Sequence, residues 1–134
     1  MKKILLVEDD IHLQFLIKEE LSDDGYDVSI ASNGREALNF LLESDEIEPD
    51  LIIMDIRMPK MDGVDTMGHI LKSRIDKPLI IHSAYSSYKD DPLIMAADAY
   101  VLKSPDFTKL KAAICKLIGP TDSEGHDDLI AANA

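Results

Sequence analysis

The sequence predicts an α/β protein: a doubly wound, five-stranded parallel sheet flanked by five helices, with a short or irregular fourth helix. Three observations carry this reading. Short apolar runs alternate with amphipathic stretches along the chain. The runs are almost wholly apolar instead of alternating with polar residues, which marks strands buried on both faces. Enough chain separates successive runs for the helical crossovers that parallel strands require. Pattern alone does not choose a strand order; the expected one is 2-1-3-4-5.

Taken in order, Ile4-Leu5-Leu6-Val7 is the first strand, stopping at three acids, Glu8-Asp9-Asp10. Leu13, Leu16, Ile17 and Leu21 follow at helical spacing, with Gly25 as the stop. Tyr26 to Ile30 reads as the second strand. Asn33, with Glu36 three places later, signals a capping box and opens a helix carrying Ala37, Leu38, Leu41 and Leu42 on one face. Past Pro49, Leu51-Ile52-Ile53-Met54 is the third strand and ends on Asp55. Pro59 and Gly63 precede a helix with Val64, Met67, Ile70 and Leu71.

Pro78 introduces the fourth strand, Leu79-Ile80-Ile81. Ser83 to Asp91 is polar, and Pro92 leaves room only for a short helix through Leu93 to Ala97. Ala99-Tyr100-Val101-Leu102 is the fifth strand. Phe107, Leu110, Ala113, Ile114 and Leu117 form the face of the last helix. Residues 119–134 have acids but no Lys or Arg, and little bulky apolar content. The expectation is therefore a domain over residues 1–118 followed by an acidic tail or linker stub.

At 134 residues the chain is one domain's worth of protein. Its apolar runs are too short to cross a bilayer, and its start breaks at Glu8 too early for a signal peptide. Cys115 is the single cysteine, which excludes an internal disulfide and a cysteine-based zinc fold and fits a cytoplasmic setting. A formal charge of −12 argues against autonomous nucleic-acid binding, because no basic block offsets repulsion by phosphates.

The acids sit where such a sheet binds ligands. In a doubly wound fold that place is the carboxyl end of the strands, where chain order reverses. If strands one and three are neighbours, Glu8, Asp9 and Asp55 gather at one edge. Carboxylates that close repel unless a cation lies between them, and oxygen donors suit Mg2+. Strand four ends at Ser83, a hydroxyl donor, and strand five at Lys103, a mobile positive charge. Together these groups are suited to neutralise the oxygens of a phosphoryl group, and a carboxylate is a competent phosphoryl acceptor. Asp55, ending the central strand, is the best candidate. Taken singly, each of these residues is more often a solvated loop residue; their coincidence at four strand ends is the signal.

The quoted pieces resemble the receiver domain of two-component response regulators over residues 2–118. The resemblance rests on Ile4 to Asp10, on Pro49 to Gly63, on Pro78 to Tyr85 and on Ala97 to Lys103. It implies a CheY-like, phosphorylation-driven switch, in which a histidine kinase or histidine phosphotransfer protein supplies the phosphoryl group. Asp55 matches the accepting aspartate. Glu8 and Asp9 match the acidic pair that holds Mg2+, with the backbone carbonyl of Arg57 as a third ligand. Lys103 matches the lysine that pairs with the acceptor. Ser83 matches the hydroxyl that swings toward the phosphoryl group, and Tyr100 the aromatic that turns inward with it. Arg57 and Tyr85 match positions that tune phosphoryl lifetime. The implied output is a downstream protein partner or a fused output domain.

Two departures stand out. The family usually has proline directly after the lysine, often in a cis bond, whereas here Ser104 follows Lys103. A cis bond before a non-proline residue costs about 2.5–4 kcal/mol, so a trans bond or a differently held lysine is expected. Ser83 to Lys103 is also tighter than usual, which again points to a short fourth helix. Asp10 is expected to cap helix one and not to bind metal. His12 is expected to face solvent.

Two other functions are weighed. Haloacid-dehalogenase-like phosphatases also use a strand-end aspartate with Mg2+, but normally carry a second aspartate two residues on, where this chain has Arg57. A phosphorylation-independent binding module would keep the fold and lose the chemistry, and that requires a misplaced lysine loop.

Overall fold

A computed structural model describes residues 1–43, 48–56, 63–72, 76–84 and 92–120. Strands β1 (Lys3–Val7), β2 (Asp27–Ala31), β3 (Leu51–Met54), β4 (Leu79–Ser83) and β5 (Ala99–Leu102) form one sheet in the order β2-β1-β3-β4-β5. Every pairing is parallel. Around the sheet lie helices α1 (Ile11–Asp23), α2 (Gly34–Glu43), α3 (Gly63–Lys72) and α5 (Thr108–Ile118). Among the described residues between α3 and α5 the helical structure is a single four-residue turn, α4 (Pro92–Met95). A proline at its first position fits a helix start, where its missing N–H has no helical partner to lose.

The apolar runs explain the layering. Side chains alternate across a strand, so Leu5, Val7, Ile52, Met54 and Ile81 join one core with α2 and α3. Ile4, Leu6, Leu51, Ile53 and Ile80 join the other with α1 and α5. All four residues of β3 are 0% exposed, which is why this run tolerates no polar residue until it reaches the edge at Asp55. Each such side chain contributes about 1.5–3 kcal/mol on burial.

The capping box forms in a variant geometry. Asn33 Oδ1 accepts from the Glu36 N–H at 2.9 Å, while Glu36 Oε1 reaches back to the N–H of Ser32 at 2.7 Å, one residue before the expected partner. Gly25, at φ 96°, takes the left-handed conformation that ends α1 and lets the chain re-enter the sheet.

Helix faces differ in detail from the spacing. In α1 only Ile17 and Leu21 are buried, and Leu16 is 49% exposed. In α2, Leu42 turns outward and Phe40 packs against the core in its place. Each misplaced leucine directly adjoins a residue that packs against the core, so a helical stripe read at one-residue resolution was drawn slightly too wide. No helix among the described residues is long and apolar enough to cross a membrane.

Candidate functional site

Register brings the acids together. Val7 pairs with Met54, so the next residues, Glu8 and Asp55, emerge side by side from β1 and β3. This is the reversal point of the sheet, because β2 lies on the far side of β1. The Asp55 N–H donates to the Val7 carbonyl at 3.0 Å and the Glu8 N–H to the Ala31 carbonyl at 3.0 Å, continuing both ladders one residue past the strands. One carboxylate oxygen from each of Glu8, Asp9 and Asp55 lies within 4.8 Å of the others. Glu8 and Asp55 are buried, and Asp9 opens to solvent.

Lys103 enters from β5. Its Nζ lies 3.0 Å from Glu8 Oε1 and 3.0 Å from Asp55 Oδ2, bridging the two buried carboxylates. The backbone is anchored where the strand ends, with the Lys103 N–H donating to the Ser83 carbonyl at 2.8 Å. No peptide bond among the described residues is cis, so Lys103–Ser104 is trans. The missing proline therefore does not displace the lysine. Ser83 is fully buried at the end of β4, and Tyr100 is half-buried against the α2–α3 core. Arg57 and Tyr85, matched above to metal ligation and lifetime, lie outside the described residues.

The electrostatics follow from two buried acids sharing one ammonium. Burial, and then the negative charge of Asp55, push the Glu8 carboxyl up to about 7, against the pull of Lys103 and the Asp10 N–H. Burial by itself would lower the Lys103 pKa. Its hydrogen bond to Asp55 and the charges of Glu8 and Asp55 outweigh burial and hold it above the usual value. A set of oxygen-only donors, with more negative charge than one ammonium balances, fits a hard divalent cation such as Mg2+.

Asp10 is not part of this set. It caps α1, its Oδ1 accepting from the N–H groups of His12 at 2.9 Å and Leu13 at 3.3 Å. His12 faces solvent as expected.

Two features were not legible in advance. His82 precedes Ser83 at the end of β4 and is 3% exposed, and its Nδ1 has no hydrogen-bond partner among the described residues. Burial and then the nearby Lys103 charge push it down to about 4, so it is neutral at pH 7. An orphaned buried polar atom costs about 1–3 kcal/mol, so His82→Leu is expected to raise stability by about 1 kcal/mol in urea denaturation. Because the folded pKa lies below the unfolded one, the parent loses stability as pH falls from about 6.5 to about 4. The leucine variant lacks that contribution; a variant less stable than the parent at pH 7 would refute this account.

The second feature is an apolar surface on α1, where Ile11 is 74% and Phe15 62% exposed. Helical spacing sets these two on one face, immediately past the Glu8-Asp9-Asp10 loop.

Comparison with known proteins gives a consistent result. The family model for the response regulator receiver domain matches residues 4–115. Among solved structures, the response regulator TrrA from Thermotoga maritima, crystallised with Mg2+ and BeF, is 42% identical with a TM-score of 0.82. That match covers 88% of this chain and 100% of the other. TrrA in complex with the histidine kinase ThkA matches at 42% identity and a TM-score of 0.79, over 88% of this chain and 99% of that one. Among curated proteins, the Escherichia coli transcriptional regulatory protein CpxR is 39% identical over 85% of this chain and 48% of its own length. Escherichia coli ZraR is 35% identical over 90% of this chain and 27% of its own. The chain thus spans about half, or less, of the curated relatives it matches.

Proposed function

The chain belongs to the response regulator receiver domain family, a phosphorylation-activated signalling domain, and from that premise we propose that Asp55 is its phosphoacceptor. The observation that carries the assignment is the Lys103 bridge between Asp55 and Glu8 at the reversal point of the sheet. An Asp55 oxygen attacks the phosphorus of a phosphohistidine. The P–N bond breaks as the O–P bond forms, and the departing imidazole takes its proton from solvent. Lys103 then pairs with the phosphoryl oxygens, and Ser83 donates its hydroxyl to them. Asp9, Asp55 and the Arg57 carbonyl would hold Mg2+, with Glu8 acting largely through water, and a cation bound there would supply charge neutralisation for the phosphoryl oxygens.

Movement of Ser83 draws the β4–α4 connection with it, and Tyr100 turns inward, so a local charge change biases a two-state surface. Arg57 and Tyr85 set how readily water removes the phosphoryl group. We read α4 as the fourth of five helices, residues 1–118 as the receiver, and residues 119–134 as tail or linker. The setting is cytoplasmic, and the output is a protein partner or a fused domain, as the greater length of CpxR and ZraR supports. A phosphorylation-independent binding module is disfavoured because the lysine loop is in place.

Intact-mass spectrometry with acetyl phosphate tests the reading: one phosphoryl group is gained, and only with Mg2+ present. No gain from acetyl phosphate or from a phosphohistidine protein would overturn it.

The donor has to reach the carboxyl edge of the sheet, and we place its contact on the exposed Ile11–Phe15 surface of α1. Aromatic anchors commonly dominate such interfaces. Phe15→Glu is expected to slow transfer from a phosphohistidine protein by about tenfold, while labelling by acetyl phosphate persists. Equal transfer from the protein donor would place docking elsewhere.

A further inference from the structure

Asp9 presents a puzzle of positioning. It is exposed, and its carboxylate has no hydrogen-bond partner among the described residues, yet one of its oxygens lies within 4.8 Å of those of Glu8 and Asp55. Something other than its own side-chain contacts must aim it. The preceding peptide is the natural lever, because rotating the Glu8–Asp9 peptide plane swings the Asp9 Cα–Cβ direction with it.

That peptide is held by Gln14. Its Nε2 donates to the Glu8 carbonyl at 2.6 Å and to Ser32 Oγ at 3.2 Å. The amide orientation is dictated by chemistry, because a backbone carbonyl only accepts and must face the nitrogen. Gln14 also donates its own N–H to the Asp10 carbonyl at 2.8 Å. One residue thus grips the acidic loop on both sides of Asp9. Ser32, just past β2, braces the amide from the side away from Asp55.

We infer that Gln14 is a positioning residue for the metal site: it fixes the Glu8–Asp9 peptide and so sets the Asp9 carboxylate for a divalent cation. The inference rests on the reading of Glu8, Asp9 and Asp55 as the Mg2+ site. Groups that orient metal ligands from behind typically cost 10–100-fold in affinity when lost. Gln14→Met keeps the length of the side chain and removes both donors.

The test is a direct Mg2+ titration of the full chain, followed by amide NMR shifts, alongside the Mg2+ dependence of acetyl phosphate labelling. Gln14→Met is expected to raise the Mg2+ dissociation constant about tenfold, with the Asp9 amide displaced already in the metal-free protein. The maximal labelling rate should fall by less than the half-saturating Mg2+ rises, a split that general loss of stability does not produce. Ser32→Ala, which removes only the brace, should raise the dissociation constant by about twofold, and it carries the test if Gln14→Met fails to fold. Mg2+ affinities equal to the parent's in the folded variants would overturn the inference alone. A parent that binds no Mg2+ would overturn the metal-site reading as well.

Discussion

Asp55→Asn is expected to abolish phosphoryl incorporation entirely while leaving a fold at least as stable as the parent's. The amide is too weak a nucleophile to take the group, and Glu8, the other carboxylate on Lys103, is more deeply enclosed, its side chain 2% exposed against 8% for Asp55. Stability should hold because Asp55 is, after burial, the main reason the Glu8 pKa is raised. Removing that negative charge relieves the cluster, as happens whenever one of two crowded carboxylates is neutralised. Intact mass after treatment with acetyl phosphate and Mg2+, paired with urea denaturation, reads both effects. Phosphoryl incorporation that survives the substitution would move the acceptor to another residue.

Lys103→Met should be the most destabilising single change at the site in the absence of Mg2+. It leaves Glu8 and Asp55, with side chains 2% and 8% exposed, without their shared cation. Breaking a buried pair this way costs about 3–5 kcal/mol, and the low end applies because the Lys103 side chain is 21% exposed. Two treatments should restore most of the loss. Millimolar Mg2+ supplies the missing charge, and acidification lets Glu8 take up a proton.

The pH direction follows from the folded pKa of Glu8, about 7, lying above its ordinary 4.5. Its favourable contribution is complete below about 4.5 and is lost as pH rises through about 7. Without Lys103 the folded pKa rises further, and the sensitive window extends upward. Equal destabilisation with and without Mg2+ would mean that the lysine stem, and not its charge, is what the fold needs. The same variant should also accept phosphoryl groups without passing to the switched state, since nothing remains to pair with their oxygens.

Much of this was readable from residue order, for a definite reason. Runs such as Leu51 to Met54 are buried on both faces, so their composition is constrained at every position and their ends are sharp. Charged residues mark those ends, and that places Glu8, Asp55 and Lys103 from residue order alone. Helix faces were less sharply written. Leu16 and Leu42 each neighbour a packed residue, and a helical stripe leaves a border where an apolar residue is tolerated outside.

Gln14 was invisible for a different reason. A glutamine within a helix carries no pattern, and its importance depends on a carbonyl six residues earlier and a hydroxyl eighteen residues later. His82 was likewise hidden, because a histidine at a strand end reads the same whether solvated or sealed. The substitution of serine for proline after Lys103 pointed the other way, toward a disturbed loop. The trans bond still delivers the ammonium, since the hydrogen bond from Lys103 N–H to the Ser83 carbonyl fixes the strand before the loop begins.

The bridge from Lys103 to Asp55 joins residues 48 positions apart, and Asp55 needs β1 beside it as much as β5 two strands away. The reactive centre is therefore a product of long-range closures and has no local precursor. High contact order makes such closures slow. Until β5 docks, Asp55 lacks the ammonium that couples capture of a phosphoryl group to the switched state. Signalling competence therefore arrives only with a completed tertiary structure.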